Sequence, residues 1–493
     1  MTLPALTVVM RACPSVAEEG PVAVQAPSWS SASPDAGQVA SRVAMTETLQ
    51  GTGAAARLAE RWSRLRLADV PKDAVEVARH CVLDWLGCAL AGSTEPAARI
   101  LRDVLDTGEA GTCSLVGRTD RAAARTAAVV NGTAGHALDF DDTHTTLMGH
   151  PTAPVLPAVL ALAEERSATG AELLAAVVAG IEVECRVGAL FMPRHYEVGW
   201  HATATLGTVG AAAGCAHLLG LDAARFATAL GLAATQAAGL KSSFGTMAKP
   251  LHAGKAAADG LLAARLAEAG FTGSPAALDG HQGLGEATTG SLPDAGRLDR
   301  LDGRFLVRDT LFKRHAACYL THAAINAAAS LRGAARPDEV ESVEVRVAPA
   351  VLDVCNIAEP ATGLEAKFSL RATVAMALLG DDTTDHGAFT DARATAPELV
   401  ALRDRVTVVT EPGRPGTAAT VVVTTASGDR LQGEADTGRP ADDLATQAGD
   451  LGRKFLGLAG PVLGTARSDA ALDAARHLDQ LGSVRELTAL LVP

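Results

Sequence analysis

The sequence predicts a mainly α-helical protein, a large all-helical domain into which a smaller α+β unit with an antiparallel sheet and helices is inserted. Three observations carry that expectation. Hydrophobic residues make up 48% of the chain but aromatics only 3%, and with 48 glycines the core must be built from small side chains, as closely approaching helices allow. Up to about residue 305 the apolar residues recur at three- and four-residue spacings, the helical period. Beyond it, Glu341-Ser342-Val343-Glu344-Val345-Arg346-Val347 alternates with period two, as a half-buried strand does. A chain of 493 residues exceeds one compact core. The expected division is therefore 45–305 for the first helical part, 306–440 for the α+β unit, and 441–493 for a helical tail that completes the helical domain.

Taken in order, residues 1–44 are Pro, Ser, Ala and Val without period, as in Gln25-Ala26-Pro27-Ser28-Trp29-Ser30, and are expected to be disordered. The apolar stretch Leu3 to Met10 lacks the basic flank of a secretory signal. Met45 directly precedes the first helical pattern and is an alternative start. Leu58, Trp62 and Leu65 begin the helices; Val77, Cys81, Leu83 and Leu86 keep one face of the next apolar. A helix from Asp120 to Leu138 follows, then others at about 153–166, 170–190, 201–219, 222–239 and 250–269, punctuated by Gly, Pro, Asp or Ser. In the α+β unit, Val406 to Val409 reads as a second strand, and Thr420 to Thr425 with Arg430 to Gly433 as a hairpin across Ala426-Ser427-Gly428-Asp429. Glu365 to Leu379 has the pattern of one amphipathic helix, and the tail of two, Leu444 to Leu456 and Asp469 to Leu491.

Charge and cysteine content exclude several function classes. The net charge is −13 with no Lys/Arg cluster, so a footprint for nucleic acid or anionic lipid is missing. The eight cysteines are scattered, without CxxC pairs or zinc-type Cys/His spacing. Free thiols in a reducing cytoplasm are expected, and neither a metal nor an iron–sulfur centre. No apolar run reaches the roughly 18–20 uninterrupted residues of a membrane span. A cytoplasmic protein is the expectation.

The densest chemistry lies in His136-Ala137-Leu138-Asp139-Phe140-Asp141-Asp142-Thr143-His144, with His150-Pro151 just beyond. Asp and His are seldom buried without partners, so the stretch reads equally as a reactive cluster or as a solvated acidic loop closing a helix. Four further segments stand out: Gly199-Trp200-His201-Ala202-Thr203; Gly245 to Ala256 with Lys249-Pro250 and Lys255; Lys313-Arg314 followed by Thr321-His322; and Glu365-Ala366-Lys367-Phe368-Ser369. Together, in this order, the five segments resemble the MmgE/PrpD family, which contains 2-methylcitrate dehydratases and cis-aconitate decarboxylases.

The resemblance implies an α+β lid over the helical domain, an active site between the two that needs no cofactor, and a homodimer. It places Asp139, Thr143, His150, His201, Lys249 and Lys313 in the pocket. Removing water or carbon dioxide from a polycarboxylate needs cations to anchor carboxylates and a group able to take a proton, for which His is suited. Catalytic candidates are therefore Asp139, His150, His201 and Lys249, with Thr143, Lys313, His144 and Cys318 on the substrate. Thr143 would share a side with Asp139 if the helix continued past it. At least one of Asp141 and Asp142 is expected merely to hold the turn. Lys249, before Pro250, falls at a helix start that also attracts anions. His252 and Lys255 remain open between site and structure.

One departure bears on the reaction. Where the decarboxylase pattern has a histidine after its Lys-Arg pair, this chain has Cys318, and the lid tyrosine has no counterpart near Val354-Cys355. The only tyrosines are Tyr196 and Tyr319. The expected function is a lyase that dehydrates a 2-methylcitrate-like hydroxy acid by proton abstraction next to a carboxylate. The alternatives are a cis-aconitate-type decarboxylase, a polycarboxylate isomerase or epimerase, and a non-catalytic polyacid-binding homologue.

Overall fold

In the computed structural model, which describes residues 53–105, 111–274, 276–334 and 336–493, the alanine- and glycine-rich segments form long helices packed face to face. The expectations for residues 1–44 and Met45 lie outside the described residues. The first helices are α1 (Ala54–Trp62), α2 (Lys72–Gly92) and α3 (Pro96–Leu105). A two-stranded pair, β1 (Cys113–Ser114) and β2 (Arg121–Ala122), then takes up the start of the helix expected from Asp120. That helix, α4 (Ala124–Ala137), is followed by α5 (Thr152–Arg166), α6 (Gly170–Phe191), α7 (Ala202–Leu218), α8 (Ala223–Ala234) and α9 (Ala248–Glu268). Side chains fix several starts. Thr169 and Glu172 form a capping box on α6, and Asp222 accepts the Arg225 N–H at the head of α8.

Small residues set the helix spacing. Every residue of α7 from Ala202 to Ala216 is buried, as in a helix that is apolar all round. Helices α4 and α9 touch through two glycines: a Cβ on Gly132 would lie 2.8 Å from the Gly254 Cα, and one on Gly254 only 2.2 Å from the Val129 carbonyl oxygen. This contact brings the end of α4, with the acidic cluster just beyond it, close to Lys249 in the first turn of α9.

The α+β segment contains α10 (Tyr319–Ala329), β3 (Val340–Val347), α11 (Leu370–Leu379), β4 (Val406–Thr410), β5 (Ala418–Thr425) and β6 (Arg430–Asp436). The sheet order is β4-β3-β5-β6. The three strands β3, β5 and β6 are antiparallel neighbours, while the edge strand β4 runs parallel to β3 with Val343 opposite Val406. Val343, Val345 and Val347 point to the buried side, as the period of two requires. The single helix expected over Glu365 to Leu379 is instead a turn at Gly363–Ala366 followed by α11. Ser369 causes the break, because its hydroxyl accepts the Ala372 N–H and caps a new helix.

The tail returns as α12 (Leu444–Leu463) and α13 (Thr465–Arg476), α12 lying on α2 with the Phe455 Cα 3.3 Å from where a Gly87 Cβ would stand. The helix expected through Leu491 ends at Arg476, and Ser483 with Glu486 caps a separate turn at Val484–Thr488. The apolar core falls into two clusters. One joins α1 to α9 with Phe455, Leu487 and Leu491 of the tail; the other joins α10, α11 and the sheet with Cys88, Leu138, Phe140 and Leu458. Among the described residues no helix is long and apolar enough to cross a membrane.

Candidate active site

Helix α4 stops at Leu138, and Asp139 follows with a left-handed φ of 52°. An L residue adopts that conformation at a cost of about 1–2 kcal/mol, so tertiary contacts must hold it there. Two ammonium groups do so. Asp139 Oδ1 accepts from Lys249 Nζ at 2.7 Å and lies 2.9 Å from Lys313 Nζ, which also donates to the Asp139 carbonyl at 2.7 Å. Burial disfavours the carboxylate, but Lys249 and Lys313 outweigh it and hold Asp139 well below the usual range. In turn, Lys313 has a raised pKa because Asp139 and Asp141 overcome its burial. Asp139 Oδ2 is buried with no hydrogen-bond partner.

Around this ion cluster stand imidazoles whose tautomers the hydrogen bonds fix. His136 Nδ1 donates to Asp141 at 2.9 Å, while its Nε2 accepts from Lys249 Nζ at 2.9 Å. His150 Nδ1 donates to the Asp142 carbonyl at 2.6 Å, which leaves Nε2 as a bare lone pair 3.9 Å from Asp139 Oδ1. The Thr203 hydroxyl accepts the His150 N–H at 3.0 Å and so ties His150 to α7. His201, at the head of α7, meets His252 Nδ1 to Nδ1 at 3.1 Å and lies 6.1 Å, centroid to centroid, from the His136 ring. Burial lowers the basicity of His136, His150 and His201, the last two well below the ordinary histidine value. All three are therefore neutral near pH 7. His150 keeps 12% of its side chain exposed where Lys313 and His136 keep none.

An apolar wall closes one side. Phe244 and Phe368 lie 6.0 Å apart and within 5.6 and 5.5 Å of Lys249 Nζ. The ligand atoms of His136, Asp139, Asp141 and His150 lie within 4.8 Å of one another, which is a composition that metals accept. Yet Asp139 Oδ1 already faces two ammonium groups, and a cation there would be repelled by both.

Five of the residues singled out in the sequence converge here: Asp139, His150, His201, Lys249 and Lys313. Thr143 does not lie beside Asp139, because the helix ends at Leu138; its hydroxyl donates to the Gly149 carbonyl and its backbone pairs with Leu311. His144 is set apart as well. Its Nε2 donates to the Leu306 carbonyl and its Nδ1 accepts the Thr146 N–H, so both nitrogens hold the loop. Cys318, buried at the N-cap of α10, is a free thiol beside the free Cys355 thiol, whose hydrogen bond lowers it against the effect of burial. Asp142 does hold the turn: its carboxylate accepts the Thr152 N–H and hydroxyl at the head of α5, and burial pushes it up to about 8. Lys255 pairs with Asp259 at 2.6 Å.

The residues that the list of candidates passed over are His136, Phe244, Phe368 and Lys367; Asp141, named only as a possible turn holder, and His252, left open, also stand here. His136 opens the acidic cluster, and its distance of five residues from Asp141 was the available signal. Lys367, within the Glu365-to-Ser369 segment, donates to the Leu138 carbonyl at 2.6 Å, and burial lowers its ammonium to about 8.

Two family models match the chain, the MmgE/PrpD N-terminal domain over residues 56–294 and the MmgE/PrpD C-terminal domain over 315–480. The chain is similar to the cis-aconitate decarboxylase of Homo sapiens, 30% identical over 455 residues that cover 87% of this chain and 92% of that one. It is likewise 30% identical over 441 residues to the cis-aconitate decarboxylase of Mus musculus, covering 84% and 88%. A cis-aconitate decarboxylase-like protein of Aspergillus oryzae is 34% identical over 231 residues, with about half of each chain matched, 45% and 48%.

Proposed function

The chain belongs to the MmgE/PrpD family, and from that premise we propose that it is a cofactor-independent lyase that dehydrates a small 2-methylcitrate-like polycarboxylate. The observation that carries this reading is the neutral His150, whose Nε2 lone pair stands beside a carboxylate paired with two lysines. A base of depressed pKa takes a carbon-bound proton next to a carboxylate; the electron pair left behind moves toward that carboxylate, where a nearby ammonium favours the developing charge. The pair then forms the carbon–carbon double bond as the neighbouring C–O bond breaks, and the leaving hydroxide takes a proton and departs as water. The imidazolium formed at His150 supplies that second proton and returns to its neutral state, since His201 and His252 are themselves neutral. Lys249 and Lys313 anchor carboxylates in exchange for part of their contact with Asp139.

A second reading is decarboxylation, favoured by the names of the relatives matched over most of their length. The same cations would hold the acid while a carbon–carbon bond breaks and an imidazole returns a proton to the carbanion. Cys318, standing where the decarboxylase pattern has histidine, favours dehydration. A homodimer, which rests on the family, and a cytoplasmic setting, which rests on the scattered cysteines, belong to the same proposal.

The test is a panel of citrate, 2-methylcitrate and cis-aconitate followed by NMR in deuterated water. Loss of water from the hydroxy acids supports the dehydratase reading; carbon dioxide from cis-aconitate replaces it with decarboxylation. Deuterium uptake without elimination indicates an isomerase. No turnover with ligand-induced thermal stabilisation indicates a binding protein.

A further inference from the structure

Three consecutive backbone carbonyls after α4 are each held by a lysine from a different part of the chain. Lys367 Nζ donates to Leu138 O at 2.6 Å, Lys313 Nζ to Asp139 O at 2.7 Å, and Lys454 Nζ to Phe140 O at 2.6 Å. A helix C-terminus leaves its last carbonyls without partners and carries partial negative charge, so ammonium groups are favoured there. Three of them on one turn exceed that need. The third also reaches further: Lys454 Nζ donates to the Lys313 carbonyl at 3.1 Å and sits 3.8 Å from the Phe140 ring centroid. Its counter-ion is Asp84, 2.6 Å away on α2, whose side chain is fully buried.

We infer that Lys454, in the tail helix α12, is a positioning residue of the site. It ties the Phe140 and Lys313 carbonyls to one ammonium group, and thereby holds the turn that carries Asp139 against the segment that carries Lys313. Asp139 keeps its left-handed conformation, and the 2.9 Å contact between its carboxylate and Lys313 Nζ persists, because both backbones are fastened to the same point. Lys454 makes no hydrogen bond to Asp139, Lys249 or any of the site's imidazoles. It lines a cavity of about 940 Å³ together with Lys313, Phe140, His322 and Arg453. Small solutes therefore have a way to its ammonium through that cavity.

The inference rests on the proposed lyase reading for its kinetic test, and a structural test separates the two. The variants are Lys454→Met and the double Lys454→Met/Asp84→Asn, the second removing both charges so that no lone carboxylate is buried. Arg453→Met, on the same cavity wall, is the control and keeps kcat within twofold. Both Lys454→Met variants, single and double, are expected to lower kcat at least tenfold while KM changes less than threefold, and in a further variant, Lys454→Ala, added ethylammonium restores kcat to at least a third of the parent value. A double variant with kcat within twofold of the parent overturns the inference. If the parent turns over no polycarboxylate, the lyase reading fails and a crystal structure of the double variant decides. An Asp139–Lys313 contact opened beyond hydrogen-bond distance sustains the positioning role, and an unchanged contact refutes it.

Discussion

Asp139 and Asp142 are three residues apart, equally buried, and titrate in opposite directions. Asp139 faces Lys249 and Lys313 and stays ionised; Asp142 is held by the Thr152 N–H and hydroxyl rather than by lysines, and burial raises it to about 8. Removing one partner of a buried ion pair costs about 3–5 kcal/mol because the other charge is stranded. Asp139→Asn strands two ammonium groups, so denaturant unfolding should show a loss of that order, and kcat/KM should fall at least about 100-fold. Between the ordinary carboxylate value of 3.8 and about 8, folded Asp142 retains a proton that the unfolded chain releases, so its contribution to stability declines as pH rises through that window. The melting temperature of Asp142→Asn relative to the parent should therefore climb from pH 4 to pH 8 and level off above; an offset independent of pH contradicts the assignment. The residue types of the cluster were legible in the sequence, but their division of labour was not. One backbone angle, the left-handed φ at Asp139, decides that Asp139 meets the lysines and that Thr143 does not follow it, and spacing carries no record of it.

Helices α4 and α9 deliver Asp139 and Lys249 to each other through the Gly132–Gly254 contact. A methyl group on Gly254 meets the Val129 carbonyl at 2.2 Å and the Thr133 hydroxyl at 2.4 Å, both closer than real contacts allow. Gly254→Ala should cost about 1–3 kcal/mol in denaturant unfolding and lower turnover as well, because the helix that carries Lys249 must move. Gly457, in α12, has nothing within 4 Å of its Cβ position, so Gly457→Ala should stabilise by about 0.4–1 kcal/mol and leave turnover unchanged. At this scale the sequence was a good guide where one face is buried. Strand β3 covers the alternating stretch from Val340 to Val347, and α9 starts beside Lys249 as Pro250 suggested. It was a poor guide where a polar residue inside an apolar pattern proved to be a cap. Ser369 and Ser483 each end one expected helix and begin another element, because a hydroxyl that takes a free N–H competes with continuing the helix.

Across the whole molecule, the site sits where the two apolar clusters meet, at Leu138 and Phe140. The helical segments supply His136, Asp139, His150, His201 and Lys249, and the α+β segment supplies Lys313, Lys367 and Phe368. Residues so far apart in sequence converge only through the fold, which is why periodicity could describe the elements while the pocket was legible only through resemblance to a family. The net charge of −13 also finds its answer here, since three lysines are concentrated within a few ångströms of one turn in an otherwise acidic protein. On the proposed lyase reading, that local charge is what holds a polyanion against the global field. Lys249→Ala should accordingly weaken citrate binding, measured by calorimetry, at least about tenfold, and the surface change Lys255→Ala less than about twofold. The central claim is that neutral His150 takes the proton from carbon. Its most direct test is deuterium exchange of the bound hydroxy acid in heavy water, followed by NMR in the parent and in His150→Gln. The account predicts that His150→Gln abolishes exchange while affinity for the acid stays within about fivefold. Exchange at the parent rate in His150→Gln would contradict it.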